Sequence, residues 1–241
     1  LPIVSGFVSG DFIVFAAPSI TSVHVNSTTG GNITADNLTA YAINATDGDG
    51  DQIKNITVWY LNGTAITGLY FPFEGSSTGT FTKDYAHNQN NGTVTGAVFN
   101  STGGQDGFGA YQFDGSGDKI VPSTYTPPIN AYTFAAWILP AANNVVLADG
   151  NGAFTSMRVS ITSDGKVRFD HFDNGDSSCH TATGSTTISL TNWSHIVASM
   201  SSANIMKVYV NGLVEANASL SSPANGNQGD FKIGQGATGQ N

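Results

Sequence analysis

Residues 133–139 read Thr-Phe-Ala-Ala-Trp-Ile-Leu, and this run decides the fold class. Successive side chains of a β-strand point to opposite faces. The run then presents two apolar sets, Phe134, Ala136 and Ile138 on one face and Ala135, Trp137 and Leu139 on the other. A strand that is apolar on both faces is covered on both sides or lies in a curved sheet. The run therefore predicts a strand inside a layered β-structure.

Turn signals on either side of this run predict further strands. Asn211-Gly212 lies between two apolar runs, and an Asn-Gly pair in this position favours a type I′ hairpin. Asp164-Gly165 is a second turn signal. Only 10% of the residues are charged, and Glu and Arg occur twice each. Because Val, Ile, Thr, Phe and Tyr fill the apolar runs and Gly and Asn separate them, we predict an all-β protein.

Residues 67–241 resemble the laminin-G-like, or concanavalin-A-like, jelly roll. The resemblance rests on GLYFPFEG (68–75), KDYAHNQNNGTV (83–94), GAYQFDGSGDKIVPS (109–123), YTFAAWILP (132–140), NWSHIVASM (192–200), MKVYVNGLV (206–214) and FKIGQG (231–236). It implies an antiparallel jelly-roll sandwich in which Trp137 is buried. The family usually has one more strand after the Ile-Gly run, which this sequence lacks, and SGFVSGDFIVF (5–15) is similar to that strand.

The chain divides into three predicted regions. Residues 1–18 are an apolar segment that contains one strand, and residues 67–241 are the jelly roll. Between them, residues 19–66 contain three alternating runs, which predict strands at 20–26, 38–45 and 56–61, and the Asn62-Gly63 turn. This middle region resembles small Ig-like surface modules of archaea and bacteria. At about 50 residues it is shorter than an immunoglobulin sandwich of about 100, so we expect it to share strands with its neighbour.

The formal net charge is −9, with eight Lys and Arg residues in total. Because these cations are scattered, no basic stripe is available for phosphates, and nucleic-acid binding is not expected. The apolar run at 12–17 is shorter than the about 20 residues that span a bilayer, so no membrane span is predicted. The absent initial Met favours a removed leader or one segment of a longer chain.

Two features of the sequence concern the cellular compartment of the protein. The single cysteine, Cys179, allows no internal disulfide, and we expect a buried small residue in preference to a thiol that pairs between chains. Asn-x-Ser/Thr acceptor patterns for N-linked glycans occur at Asn26, Asn32, Asn37, Asn44, Asn55, Asn62, Asn91, Asn100, Asn192 and Asn217. Their clustering in the first 100 residues predicts a glycoprotein at the cell surface, in a filament or otherwise outside the cell.

Three carboxylates on alternate residues form the best metal candidate. Asp47, Asp49 and Asp51 lie in a Gly-rich loop, and carboxylate oxygens are ligands that calcium prefers. The loop is not an EF-hand, because Gln52 and Val58 stand at its sixth and twelfth positions. The alternatives are a calcium site and a plain polar turn. Weaker candidates are Asp149, Asn151, Asp170, Asp173 and Asp176.

The sequence predicts no enzyme. Glycosidases on this fold usually place two Glu residues on one strand, whereas Glu74 and Glu215 are isolated here. No His-Glu-x-x-His motif occurs. We therefore expect structural roles for the five histidines, His24, His87, His171, His180 and His195.

Two functions are consistent with these features. The first is a structural surface protein that assembles with copies of itself head to tail, as a filament or tandem adhesin. Its N-terminal strand would enter the next jelly roll through Phe7, Phe12, Ile13, Val14 and Phe15. The alternative is a calcium-dependent module that binds cell-surface glycans, with Tyr125, Tyr132 and Phe172 as candidate aromatic contacts. These three residues are equally suited to a core.

Overall fold

The computed structural model describes residues 17–31, 33, 36–74, 77–86, 89–128, 131–150, 157–172, 179–220 and 231–234. The chain forms two compact units, Leu1–Thr57 and Val58–Asn241. The boundary predicted from the sequence lies after residue 66, whereas the boundary between these two units places the Asn62-Gly63 turn in the second unit. The predicted subunit-contact residues Phe7, Phe12, Ile13, Val14 and Phe15 lie outside the described residues.

All regular secondary structure in the described residues is β-strand. The strands are β1 (Ser22–Ser27), β2 (Leu38–Ile43), β3 (Tyr60–Leu61), β4 (Thr64–Ala65), β5 (Phe81–Thr82), β6 (Gly92–Thr95), β7 (Val98–Asn100), β8 (Ala110–Gln112), β9 (Lys119–Pro122), β10 (Tyr132–Ile138), β11 (Val145–Gly150), β12 (Arg158–Ile161), β13 (Lys166–Phe172), β14 (Cys179–Thr187), β15 (Ser194–Met200), β16 (Ile205–Val210), β17 (Leu213–Ser219) and β18 (Phe231–Ile233). No helix among these residues is long and apolar enough to cross a membrane.

The second unit is built on two antiparallel sheets. The larger sheet has the order β14-β13-β12-β11-β18-β9-β6-β5, and the smaller has the order β10-β15-β16-β17. Strand β18 lies between β11 and β9, far from its neighbours in sequence, so the chain crosses over as jelly rolls do. The predicted all-β jelly-roll sandwich is confirmed.

The core lies between these two sheets. Inward side chains of β15 and β16 are buried while the alternate outward ones are only half-buried. Among the described residues, Phe169 of β13 is the largest side chain that is fully buried, at 0% exposed. The buried members of the main core are Ala148, Met157, Val159, Ile161, Val167, Phe169, Ala182, Ile188, Ile196, Ala198, Met200, Met206, Val208, Val210, Leu220 and Phe231. Burial of this apolar surface is the main force that holds the sheets together.

The predicted turns have the backbone geometry that their residues favour. Asn211 and Gly212 have φ angles of 49° and 82°, and they join β16 to β17. Asn62 and Gly63 have φ angles of 51° and 79°, and they join β3 to β4. Two successive positive φ angles define a type I′ turn, so both hairpin predictions are confirmed.

One buried carboxylate organises the start of the jelly roll. Asp84 is 1% exposed. Its oxygens accept hydrogen bonds from the backbone N–H groups of Tyr70, Ala86 and Asn90 at 2.8–2.9 Å. These N–H groups lie outside the strands, where no ladder satisfies them, so the carboxylate supplies the partners that buried amides require.

The described residues of the first unit contain one sheet of two strands, β1 paired antiparallel with β2. A single bridge joins Ser19 and Thr46 beyond the strand ends. The predicted strand at 56–61 forms only at its end, as β3. The prediction is wrong for residues 56–59, because the Asn62-Gly63 turn provides a pairing partner only for the residues next to it.

Candidate functional site

Strand β10 forms one edge of the smaller sheet. It pairs with β15 along its whole length, and within the described part of the chain β15 is its only partner. The inward side chains of Phe134, Ala136 and Ile138 are half-buried, whereas the inward Ile196 and Ala198 of β15 are both 0% exposed. The edge position thus leaves an apolar row incompletely covered.

At the opposite edge of the smaller sheet, the Glu215 side chain of β17 binds residues of β14. The Glu215 carboxylate accepts hydrogen bonds from the backbone N–H groups of Ser185 at 3.1 Å and Thr186 at 3.0 Å. The hydroxyls of the same two residues also donate to it. Hydrogen bonds from Ser185 and then Thr186 lower the pKa of Glu215 from 4.5 to about 2. Since β14 belongs to the larger sheet, Glu215 joins the edges of the two sheets.

Trp137 lies on the outward face of the smaller sheet. It is 50% exposed, and its ring centroid is 5.2 Å from that of His195 on β15. The expectation that Trp137 is buried is wrong, because the alternation that turns Ala136 and Ile138 inward turns Trp137 outward. An aromatic surface is therefore available on this face.

An open hollow of about 380 Å³ lies on the outward face of strands β15 and β16. Its lining residues are Ser199, Ser201, Ile205, Lys207 and Tyr209. Ser199, Ile205, Lys207 and Tyr209 belong to these two strands, where they alternate with buried core residues. The alternation that turns the core residues inward therefore places these four side chains on the outward face. The hollow combines hydroxyls, an ammonium group and a phenol ring, which together can bind a polar ligand that has an apolar face.

The three candidate calcium ligands lie in the turn that follows β2. One carboxylate oxygen from each of Asp47, Asp49 and Asp51 falls within 4.8 Å of the others. Calcium binds oxygens at roughly 2.3–2.6 Å, so ligands of one ion can be this far apart. Asp47 also accepts hydrogen bonds from the backbone N–H groups of Asp49 at 3.2 Å and Asp51 at 3.4 Å, as in an ordinary polar turn. The geometry is compatible with both alternatives.

Most of the predicted glycan acceptors lie at the surface. Asn91 is half-buried, and its amide oxygen accepts a hydrogen bond from the backbone N–H of Asp84 at 3.0 Å. Asn32 lies outside the described residues. The exposed acceptors are Asn26, Asn37, Asn44, Asn55, Asn62, Asn100, Asn192 and Asn217. These eight side chains are accessible to a glycosyltransferase.

The sequence model of the concanavalin A-like lectin/glucanases superfamily, in its Laminin_G_3 family, matches residues 113–241. This range is more than half of the chain. The chain belongs to this superfamily. No curated protein has a sequence that matches the chain.

Solved structures share the fold of this superfamily member at low sequence identity. The binding domain of Paraclostridial Mosquitocidal Protein 1 is 17% identical with a TM-score of 0.54, and the match covers 66% of this chain and 43% of that one. The Botulinum Neurotoxin serotype G binding domain is 14% identical with a TM-score of 0.52, and the match covers 69% of this chain and 42% of that one. The chain thus spans less than half of each relative, and the likeness concerns the fold.

Because the superfamily name includes both lectins and glucanases, the two glutamates are important. Glu74 accepts a hydrogen bond from the backbone N–H of Gly109 at 2.6 Å. Glu215 is bound to Ser185 and Thr186 as described above. Each glutamate carboxylate therefore accepts hydrogen bonds from backbone N–H groups, and the two glutamates bind different segments of the chain.

Other candidate residues from the sequence take part in packing. Tyr132 donates or accepts a hydrogen bond with His171 Nδ1 at 3.0 Å, and burial raises the pKa of Tyr132. Tyr125 packs edge-on against Phe231 with centroids 5.7 Å apart. These two tyrosines belong to the core, and the side chain of Phe172 lies outside the described part.

Of the weaker metal candidates, Asp170 is the one whose side chain belongs to the described part of the chain. Asp170 is 2% exposed, and it accepts hydrogen bonds from Arg168 Nε at 2.8 Å and the Thr181 hydroxyl at 2.7 Å. The side chain of Asp149 and residues Asn151, Asp173 and Asp176 lie outside the described residues.

The expectation that Cys179 is buried is wrong. Its side chain is exposed, because it begins β14, the outermost strand of the larger sheet. Sequence reasoning also missed the hollow around Lys207 and Tyr209. The available signal was the strict alternation of β16, which places one cation and one aromatic ring on its outward face.

Proposed function

We propose that the chain is a structural, extracellular surface protein that assembles head to tail by strand addition. The observation that carries this proposal is the edge strand β10, with its half-buried row Phe134, Ala136 and Ile138. An added strand supplies backbone hydrogen bonds along the edge and places alternate side chains over the apolar row.

The N-terminal segment has the composition of such a strand. Residues 7–15 read Phe-Val-Ser-Gly-Asp-Phe-Ile-Val-Phe, a run rich in aromatic and β-branched residues. Donation of this segment to β10 of another copy uses two different surfaces of the chain. A contact of this heterologous kind generates an open filament when it does not close into a ring.

The first test compares the intact chain with a variant that lacks residues 1–17, by negative-stain electron microscopy. The intact chain is expected to form fibres and the truncated chain to remain monomeric, with unchanged far-ultraviolet circular dichroism. Monodisperse monomers in both samples contradict the proposal.

A peptide added in trans provides a second test. A synthetic peptide of residues 5–16 is expected to raise the melting temperature of the truncated chain, because a ligand that binds only the folded state stabilises it. A scrambled peptide of the same composition is the matched control. An equal effect of both peptides contradicts strand addition and indicates unspecific binding.

The exposed glycan acceptor patterns support the extracellular location. The eight exposed acceptors include four in the first 60 residues. Mass spectrometry of the protein from its native source is expected to find glycans on several of them. Unmodified asparagines at every described acceptor would contradict the location that we propose.

A calcium-dependent glycan-binding module is the second candidate. It is favoured by the three carboxylate oxygens within 4.8 Å at Asp47, Asp49 and Asp51 and by membership in a superfamily that includes lectins. Retention on a polysaccharide column that EDTA reverses is the expected result. The variant Asp49→Asn tests the ion, and loss of calcium binding measured by calorimetry is expected.

We also propose that the chain is not an enzyme. Both glutamates accept hydrogen bonds from backbone N–H groups, at Gly109 and at Ser185 and Thr186. A carboxylate held ionised, as Glu215 is, cannot serve as the general acid of a glycosidase near neutral pH. Release of reducing ends from a panel of glucans would contradict this proposal.

A further inference from the structure

We infer that the added strand enters the jelly roll of a second copy with one fixed facing, in which Phe12 and Val14 point inward and Asp11 points outward. The inference rests on the proposed strand addition at β10 and deepens it. It names the residues of the N-terminal segment that determine how the strand fits its partner, and it assigns the outward residues of the segment to a second contact at Trp137.

The segment has two possible facings because successive side chains of a strand point to opposite sides. Asp11 is the one charged residue among residues 1–18. The set of alternate residues that contains it is Phe7, Ser9, Asp11, Ile13 and Phe15. The uncharged set is Val8, Gly10, Phe12 and Val14. A shift of one residue in register exchanges the two sets, so the facing decides whether Asp11 is buried or stays in water.

The space inside the sandwich next to β10 is apolar on both sides. The Glu215 bonds place β17 beside β14, and β16 contacts β13. Counting inward from those edges brings β10 over β11, and the larger sheet continues past β11 with β18. A strand added beside β10 therefore lies over β18. In the described part of the chain, Ile233 of β18 and the inward Phe134 and Ile138 of β10 are all half-buried.

The charge of Asp11 selects the facing. The described inward side chains of β10, β15, β16 and β18 include no cation that could pair with a carboxylate. An unpaired carboxylate that leaves water loses its hydration without compensation, which is strongly unfavourable. On the outward face Asp11 stays in water, on the side of the smaller sheet that carries Lys207 and His195. The uncharged set must then point inward.

The uncharged set also has the length and the side chains that the apolar row requires. Its four positions span residues 8–14, which are seven residues, and β10 is seven residues long. The four inward residues of β10 are Tyr132, Phe134, Ala136 and Ile138. Phe12 supplies a ring, and Val8 and Val14 supply β-branched side chains that suit a sheet. The added strand thus covers the row with apolar groups along its whole length.

The charged set has its own contact on the outward face. Trp137 of β10 is 50% exposed there. A strand that lies about 4.8 Å from β10 brings its outward side chains within reach of the Trp137 ring. Ile13 and Phe15 are apolar members of this set, so they can cover the ring while Asp11 remains hydrated. This facing accounts for apolar residues in both sets of the segment.

The test measures fibre assembly of full-length variants, as the protein concentration at which half of the chains sediment as fibres. Phe12→Ala is expected to raise this concentration at least about a hundredfold, because it removes a ring that the assembly buries. Phe15→Ala is the matched control, since it makes the same change in the outward set, and it is expected to raise the concentration by less than about tenfold. Circular dichroism of each variant checks that the chain is folded.

Charged and neutral substitutions give a second, independent comparison. Val14→Asp is expected to raise the half-assembly concentration at least about a hundredfold, because it places a carboxylate inward, whereas Ile13→Asp should raise it by less than about tenfold. Asp11→Asn should change it by less than about threefold, because the side chain is in water in both states. If Asp11 were inward, Asp11→Asn would instead lower the concentration about tenfold or more.

The outcomes separate this inference from the strand addition on which it rests. Fibres that tolerate Phe12→Ala and are lost with Phe15→Ala would overturn the facing and leave strand addition intact. Equal effects of these two substitutions would also overturn the facing, because the contact would then not distinguish the two sides of the strand. Absence of fibres from the unsubstituted chain would overturn both.

Discussion

The two edge strands of the smaller sheet, β17 and β10, differ in the contacts that cover them. At β17, the Glu215 carboxylate reaches the larger sheet and accepts hydrogen bonds from Ser185 and Thr186. At β10, the described residues provide no such link, and the inward Phe134 and Ile138 are half-buried. One edge is sealed by a charged side chain, and the other presents backbone and apolar surface.

This difference identifies the edge that is suited to a partner. A carboxylate at a sheet edge satisfies neighbouring backbone donors and discourages another strand, which is how natural proteins protect exposed edges. An edge with apolar side chains and no charged residue has no such protection. Strand β10 contains no Asp, Glu, Lys or Arg, so we expect the proposed strand addition at that edge.

The largest expected effect on stability comes from replacing an isoleucine, and two isoleucines on neighbouring strands are compared. Ile196→Ala on β15 is expected to lower the free energy of unfolding by about 2–5 kcal/mol, because Ile196 is 0% exposed. Ile138→Ala on β10 is expected to cost about 1–2 kcal/mol in the truncated monomer, because less of its surface is buried. Urea denaturation of both variants provides the measurement.

The same pair also reports on assembly. In fibres of the intact chain, an added strand buries more of Ile138, so the cost of Ile138→Ala should rise toward that of Ile196→Ala. Equal costs of the two substitutions in the monomer would show that β10 is already covered, and the contrast between the two edges would be wrong.

The next effect concerns hydrogen exchange along β10. In an antiparallel pair, alternate amides point away from the partner strand. These amides of β10 are expected to exchange quickly in the truncated chain and about tenfold or more slowly in fibres, whereas the amides of β15 stay protected in both. Uniform protection of β10 in the monomer contradicts an open edge.

Much of the fold could be predicted from the sequence because it depends on local signals. The Asn62-Gly63 and Asn211-Gly212 turns form where their residues favour positive φ angles. The alternation in 133–139 gives the correct strand. Family resemblance supplied the jelly roll, since spacing alone does not determine which strands are neighbours.

The failures concern properties that arise between segments. Alternation shows that Trp137 and Ile138 face opposite ways, but which face meets the second sheet depends on the whole packing. The bond between Glu215 and Ser185 joins residues 30 positions apart, and the hollow at Lys207 requires two strands in register. The bond leaves no sequence motif, and the alternation of β16 shows the outward side chains of one strand without showing their neighbours, so both features were missed.

A smaller expected effect concerns how the stability of the β17 edge depends on pH. The folded-state pKa of Glu215 is lowered from 4.5 to about 2, so its contribution to stability is fully present above pH 4.5 and is lost as pH falls toward 2. Because the group is solvent-exposed, the loss is expected to be smaller than that of Ile196→Ala. Glu215→Gln should remove this part of the pH dependence in thermal unfolding.

The melting temperatures of Glu215→Gln and of the wild type are compared at pH 7 and at pH 3. The wild type is expected to be more stable than the variant at pH 7, and the difference should shrink at pH 3. A constant difference at both pH values would show that the carboxylate charge does not seal this edge.

The smallest effect is expected from the most exposed apolar residue of the sealed edge. Leu213 begins β17 and is 70% exposed, so Leu213→Ala should change the free energy of unfolding by no more than about 0.5 kcal/mol in monomer and fibre. Leu220, just beyond the same strand, is 8% exposed, and Leu220→Ala should cost about 2–5 kcal/mol. If Leu213→Ala instead destabilises the fibre alone, β17 takes part in the contact between copies, and polar closure of an edge does not exclude a partner.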